Sequence, residues 1–302
     1  MPAATQATRR SSGERWTDRL AVPIALVSLY VVWSSTYLGI RIAVETIPPF
    51  IMGGTRFGLA GLLLYVFLRL RGAPNPTARQ WGSAAIVGTL LLAGGNGLVA
   101  FAERSVASGL AAILIATVPL WAAIFAGLWE QWPGRLEVLG LFVGFAGVGL
   151  LNVGSGLSGH PFDLGILIFA AVCWAFGSMW GRHLPMPSGL MASAAEMVTG
   201  GAVMVMIGLA RGEHFATMPS GRSIWAVAYL IVFGSFVGYT SYVFLLQRVR
   251  PALATSYAYV SPVGAVLLGV AFVGEKISAT EIVALLIVLA AVALVVLGRE
   301  RR

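Results

Sequence analysis

The 302-residue chain is short of charge: 11% of its residues are Asp, Glu, Lys or Arg, against about 25% in an ordinary soluble domain. A water-exposed globule could not cover itself with so few charges, so a soluble enzyme and a secreted scaffold are excluded. There is one cysteine, Cys173, inside an apolar run. That excludes a disulfide framework and a thiolate zinc site and leaves Cys173 as a small hydrophobe. Histidines 160, 183 and 214 fall in loops or at the ends of apolar runs, and no aspartate lies in a run's interior. An intramembrane enzyme would need an H-E-x-x-H helix, a Ser/His pair or paired aspartates there, and none occurs, so no enzyme, metal or cofactor is expected. Lys and Arg outnumber Asp and Glu by 20 to 12. The excess is scattered singly at run ends, with no basic stripe, so no nucleic-acid partner is expected.

What the chain has is apolar runs, with 58% hydrophobic residues. Ten stand between polar breaks: Leu20–Ile42, Pro49–Leu70, Gln80–Phe101, Ser105–Trp129, Leu136–Val153, Leu164–Arg182, Ser188–Ala210, Ser223–Leu246, Ala252–Val273 and Ala279–Leu297. A span takes about 20 apolar residues, so ten leave only tails and short loops. Lipid offers backbone groups no partners, so the spans must be helical. The expectation is an all-α membrane protein of ten transmembrane helices. Glu103-Arg104 marks a tight hairpin. Residues 1–19, with Arg9, Arg10, Arg15 and Arg19, suggest a disordered cytoplasmic tail. The run after them is too long for a signal-peptide core and lacks an A-x-A-like end, so it is a retained span. With the N-terminus inside, 14 of the 20 basic residues fall on the cytoplasmic side, in line with the positive-inside rule. Both termini are then cytoplasmic in a multi-pass bacterial inner-membrane protein, taken as a monomer surrounded by lipid.

The second half repeats the first. At an offset of 141, Val31, Trp33 and Arg41 fall on Val172, Trp174 and Arg182. At 143, Gly95, Phe101, Leu110, Ala111, Pro119 and Ala122 fall on Gly238, Phe244, Leu253, Ala254, Pro262 and Ala265. The near-constant offset, with the rarer Trp, Arg and Pro among the matches, carries the signal. The division is 20–153 and 164–298, with a linker at 154–163 and a tail at 299–302. Five spans per repeat is odd, so the halves are inverted, an arrangement found in secondary transporters with substrate sites between the halves.

Trp33-Ser-Ser-Thr-Tyr-Leu-Gly-Ile-Arg, Ile47-Pro-Pro-Phe and Thr55-Arg-Phe resemble the opening of EamA-type carriers of the drug/metabolite transporter superfamily. Cys173-Trp174, Gly181-Arg182, Ser261-Pro262 and Gly274-Glu275-Lys276 resemble the second half. The resemblance covers residues 20–298 and within the family is strongest to YddG-type exporters of aromatic amino acids. It implies export of a small metabolite. The first half departs from the pattern at Trp129-Glu130-Gln131, where the repeat frame expects Gly-Glu two residues later.

Trp33 and Trp174 sit mid-span, away from the headgroup level where tryptophan collects, and Tyr37 shares the helical face of Trp33. Asn96 lies among glycines in Gly94-Gly-Asn-Gly97, with Tyr239 at the equivalent point of the eighth span and Tyr242 close by. Tyr257 and Ser261 precede Pro262. Apolar walls with a few polar groups suit an aromatic zwitterion, although such groups also serve as tight core or interhelical hydrogen bonds. Arg56 and Glu196 are charges inside spans, which default to function. Arg56 suits a substrate carboxylate and Glu196 a proton or the substrate ammonium; a bond from Arg56 to Glu45, and water at Glu196, are the plain alternatives. Pro119 and Pro262 are matched hinge candidates. Gly140 with Gly144, and Gly234 with Gly238, suit close helix packing within the chain. A channel would show a repeated polar ring, and here polar groups are isolated. A solute carrier working by alternating access is the reading, with amino-acid export ahead of broad drug export and sugar-nucleotide exchange.

Overall fold

The computed structural model describes residues 12–106, 111, 114–129, 132–151, 160–268 and 279–300, and every regular element among them is a helix. In chain order these are α1 (Ser12–Ala43), α2 (Pro49–Leu70), α3 (Ala78–Ala102), α4 (Val118–Trp129) and α5 (Arg135–Leu151). After them come α6 (Pro161–Gly181), α7 (Leu190–Ala210), α8 (Gly221–Leu246), α9 (Tyr257–Leu268) and α10 (Ala279–Glu300). A single turn, Pro251–Ala254, precedes α9.

Six helices among the described residues are long and apolar enough to cross a bilayer: α2, α3, α6, α7, α8 and the Leu20–Ala43 part of α1. As described, α4 and α9 have 12 residues each and α5 has 17, short of the ~20 a span needs. Residues 107–110, 112–113, 130–131, 152–159 and 269–278, which flank or interrupt these runs, lie outside the described set. Glu130, Leu110 and the Gly274-Glu275-Lys276 motif fall there too. α1 begins at Ser12, ahead of its apolar run, because extending a helix already formed is far easier than starting one.

Local chemistry sets the helix ends, and it does so twice. Thr77 caps α3, accepting from Gln80 N at 3.3 Å while Gln80 Oε1 accepts from Thr77 N at 2.9 Å, a reciprocal capping box. Ser220, 143 residues on, caps α8 by accepting from Ser223 N at 3.1 Å. α2 and α7 each stop at an Arg-Gly pair whose glycine takes a left-handed conformation, Gly72 at φ 83° and Gly212 at φ 72°, a backbone state that favours glycine. In α3 and α8 the middle of the helix widens to π geometry, over Thr89–Gly97 and Leu230–Tyr239 respectively.

Packing follows the same exchange. α1 lies on α8 and α9, and α6 lies on α3 and α4. α3 packs on α7 as α8 packs on α2, while α2 runs along α7 and α5 along α10. Swapping the halves maps these contacts onto themselves. Small residues permit the closest approaches: a Cβ on Gly201 would lie 2.6 Å from Gly58 N, and one on Gly140 2.9 Å from Ala291 O. The two glycine pairs singled out in the sequence therefore face other helices of the same chain. Ile24, Val27, Val31 and Leu38 line the outer face of α1, while Leu29, Trp33, Thr36 and Ile40 are buried. Apolar character all round is expected of a helix between protein and lipid.

Candidate functional site

A cavity of about 60 Å3 lies between the halves, in the part of the bundle nearer the α1–α2 loop. α1 lines it with Trp33, Thr36, Tyr37 and Ile40, residues that recur every three or four positions and so share one helical face. α2 brings Arg56 and Phe57, α3 brings Gly95, Asn96 and Val99, and α6 brings Ala170 and Trp174. Ile115, Val118, Tyr257 and Ser261 complete the wall. Seven of the ten binding candidates thus meet in one place. Thr36, Ile40, Phe57 and Val99 were missed; the α1 periodicity that marked Tyr37 would have found the first two.

Arg56 is 3% exposed. Its Nε donates to Ser235 Oγ at 2.8 Å, and its guanidinium carbon stands 4.4 Å from the centre of the Phe57 ring. Among the described residues no carboxylate forms an ion pair with it, and Glu45, considered as a partner from the sequence, does not bond it. Ser235 gave no sequence signal, because a lone serine on a distant helix says nothing of its neighbour. Among the described residues the buried Ser261 hydroxyl has no hydrogen-bond partner. Leaving a buried donor unpaired is costly, and the Ser261 hydroxyl is so placed in the wall of this cavity.

The aromatic candidates form a floor beneath the cavity. Trp33 meets Trp174, Tyr242 and Tyr257 with ring centroids 5.6, 5.4 and 4.4 Å apart, the first two within the usual range for attractive ring pairs and the third at its short edge. Trp33 Nε1 donates to Gly234 O at 3.2 Å, and Trp174 Nε1 donates to the Tyr242 hydroxyl at 2.9 Å. Each tryptophan rests on a glycine of the other half. A Cβ on Gly238 would lie 2.3 Å from Trp33 Nε1, and one on Gly95 would lie 2.5 Å from Trp174 Cε3. Both glycines sit in the π-widened segments, and both pairs are mates in the sequence repeat.

Tyr239, Tyr242 and Glu196 do not line this cavity. Tyr239 is fully buried and donates to Glu196 Oε2 at 2.7 Å. Tyr239 thus faces α7, while Asn96, its partner in the repeat, faces the cavity. Tyr242 lies in the floor, its hydroxyl also bonded to Ser178 Oγ at 2.7 Å. Ser178 and Glu196 line a second cavity of about 350 Å3 at the α2–α3 end, with Arg182 and Gln247 among its other residues. The floor therefore separates two cavities stacked along the bundle. At the α2–α3 end Arg182 Nη1 donates to Leu246 O and Val249 O at 2.7 and 3.1 Å, and Arg250 pairs with Glu137 at 2.7 Å. At the α1–α2 end Glu213 accepts from Phe50 N and Ile51 N at 3.1 and 3.0 Å.

The proline pair is less symmetrical than the sequence suggests. Pro262 lies inside α9, whereas Pro119 is the second residue of α4, after a turn at Ala116-Thr117. In the first turn of a helix the missing N–H has no helical partner to lose.

Among known proteins, the model of the EamA-like transporter family matches the chain twice, over residues 21–153 and 163–297. The chain is 46% identical to the inner membrane transporter YedA of Escherichia coli (strain K12), over 91% of its own length and 90% of the relative's, and that name carries no substrate. It is 25% identical to a protein of Streptantibioticus cattleyicolor named Probable terminal-alkyne amino-acid exporter, over 83% of this chain and 85% of that one. A crystal structure 18% identical in sequence superposes with a TM-score of 0.77, covering 94% of this chain and 99% of the other, which shows a shared fold. A family match over both halves, on helices that exchange as a two-fold pair, leads to one conclusion: the chain belongs to the EamA-like transporter family.

Proposed function

We propose that this chain is a secondary carrier of the bacterial inner membrane that exports small metabolites, aromatic or other neutral amino acids first, by alternating access between two inverted halves. The observation that carries the substrate class is Arg56, a buried cation without a carboxylate partner among the described residues, facing a cavity walled by Trp33, Tyr37, Trp174 and Tyr257. A substrate carboxylate would complete the guanidinium's hydrogen bonds, the rings would take its apolar body, and Asn96 with Ser261 would meet its amino group. The S. cattleyicolor relative, named as an amino-acid exporter, and the YddG-type resemblance point the same way. Alternating access draws on the two stacked cavities and on a packing scheme that maps onto itself when the halves are exchanged. Ten crossings with both termini cytoplasmic, and hinges near Pro119 and Pro262, belong to the same proposal, as does a monomer. Broad drug export is the second reading, favoured by the aromatic walls. A cationic drug would meet Arg56 and no carboxylate among the cavity's lining residues, which puts it second.

Uptake of labelled phenylalanine, tryptophan, threonine and a cationic dye into proteoliposomes tests the reading. Saturable uptake of the aromatic amino acids that collapses in Arg56→Gln is expected, with no dye uptake. Dye uptake without amino-acid uptake, or amino-acid uptake indifferent to Arg56→Gln, would overturn it.

A further inference from the structure

Glu103 is a buried acid that the substrate site does not use. It follows the last residue of α3, and its N–H still bonds Val99 O at 2.9 Å. The residue is 9% exposed, and both carboxyl oxygens are buried without a hydrogen-bond partner among the described residues. A buried carboxylate left unpaired is strongly disfavoured. The carbonyl end of a helix repels negative charge as well. Both effects favour the neutral acid. The charged and titratable groups nearby come from several elements. α1 supplies Tyr37 and Arg41, both of which interact electrostatically with Glu103. Arg104 is its neighbour in the chain. On α6, Asp163 accepts from Ser105 Oγ at 3.0 Å, and beyond α7 Arg211 stands 4.7 Å from the Phe101 ring centre. Burial outweighs the pull of Arg41 and pushes the Glu103 carboxyl up to about 8. Tyr37 lines the cavity, as do Val99 and Asn96, four and seven residues before Glu103 on its own face of α3.

We propose that Glu103 is the proton-binding site of this transporter, holding a proton while it is enclosed between the end of α3 and the Tyr37–Arg41 turn of α1, and releasing it when that enclosure opens. The step is acid–base alone: the O–H bond breaks, the proton passes to water at the α1–α2 end, and the carboxylate remains facing Arg41. This goes beyond the substrate reading but rests on a cavity that opens and closes.

Two measurements on the full chain in lipid nanodiscs test it, neither using a substrate. Infrared difference spectroscopy across a pH series should show a protonated-carboxyl band that is absent in Glu103→Gln and titrates with a midpoint near about 8. A cysteine reporter in the cavity, Thr36→Cys in a Cys173→Ala background, is reacted with a membrane-impermeant maleimide. Its rate, divided by the rate of the same reporter in Glu103→Gln to cancel the thiol's own titration, should change severalfold through that midpoint. No protonated band at neutral pH, or a rate ratio flat with pH, overturns the proposal. Should Glu103→Gln fail to fold, Glu103→Asp must move both midpoints together, and midpoints that part company overturn it as well. Failure of amino-acid uptake would sink the substrate reading while leaving both of these readouts intact.

Discussion

At the scale of residues the proposed chemistry turns on a single guanidinium, Arg56. A hydrogen bond to a charged group contributes about 1.5–3 kcal/mol, so Arg56→Gln should weaken apparent affinity for a carboxylate substrate by about tenfold to hundredfold, read as KM in proteoliposome uptake. Arg56→Lys keeps the charge but not the planar fork and should fall between the two. Tyr242→Phe keeps the ring and removes the hydroxyl that both Trp174 Nε1 and Ser178 Oγ engage. A buried donor left unpaired costs about 1–3 kcal/mol, so thermal unfolding in detergent should begin several degrees lower. Glu103 gives a pH signature. Its folded carboxyl, at about 8, lies above the ordinary 4.5, so between those values the folded chain binds more proton than the unfolded one. Stability contributed by this group is complete below about 4.5 and declines as pH rises through about 8, and Glu103→Gln should remove that decline from the thermal midpoint. Much at this scale was legible. Trp33, Trp174 and Arg56 stand out because indoles and charges are rare in mid-span. Glu103 was not, since beside Arg104 in a hairpin it resembles an ordinary surface acid, and only burial tells otherwise.

Among the elements, the repeat carries more than matching letters. Thr77 and Ser220 cap equivalent helices with different residues, and the π-widened segments of α3 and α8 share little sequence. Identity matching passes over both, because a cap needs only a hydroxyl and a widened turn depends on how many residues the helix must fit between fixed ends. Gly95 and Gly238 were legible as matched letters, but what they touch was not. Replacing either with alanine would drive a methyl into the opposing tryptophan, and overpacking of this kind costs about 1–3 kcal/mol. Both variants should therefore lower the unfolding midpoint and slow uptake, with comparable effects, since each disturbs the same floor from its own half. An effect confined to one of them would argue against the two-fold exchange. Pro119 marks the limit of matching: its letter repeats, but it begins a helix where Pro262 sits inside one.

For the whole molecule, composition already excluded a water-soluble globule, and the near-constant offset already divided the chain in two. The two stacked cavities and the aromatic partition between them were not legible. They depend on which faces of α1, α3, α6 and α8 meet, and distances between remote helices leave little trace in a single sequence. In the proposed mechanism the partition shifts so that one cavity, completed by Arg56, opens to each side in turn. Counterflow tests this most directly: proteoliposomes preloaded with unlabelled phenylalanine are given labelled phenylalanine outside. A carrier working by exchange predicts transient accumulation of label above equilibrium in the wild type and its loss in Arg56→Gln. Label that only equilibrates, at a rate indifferent to the preload and to Arg56, would contradict the account and indicate a pore.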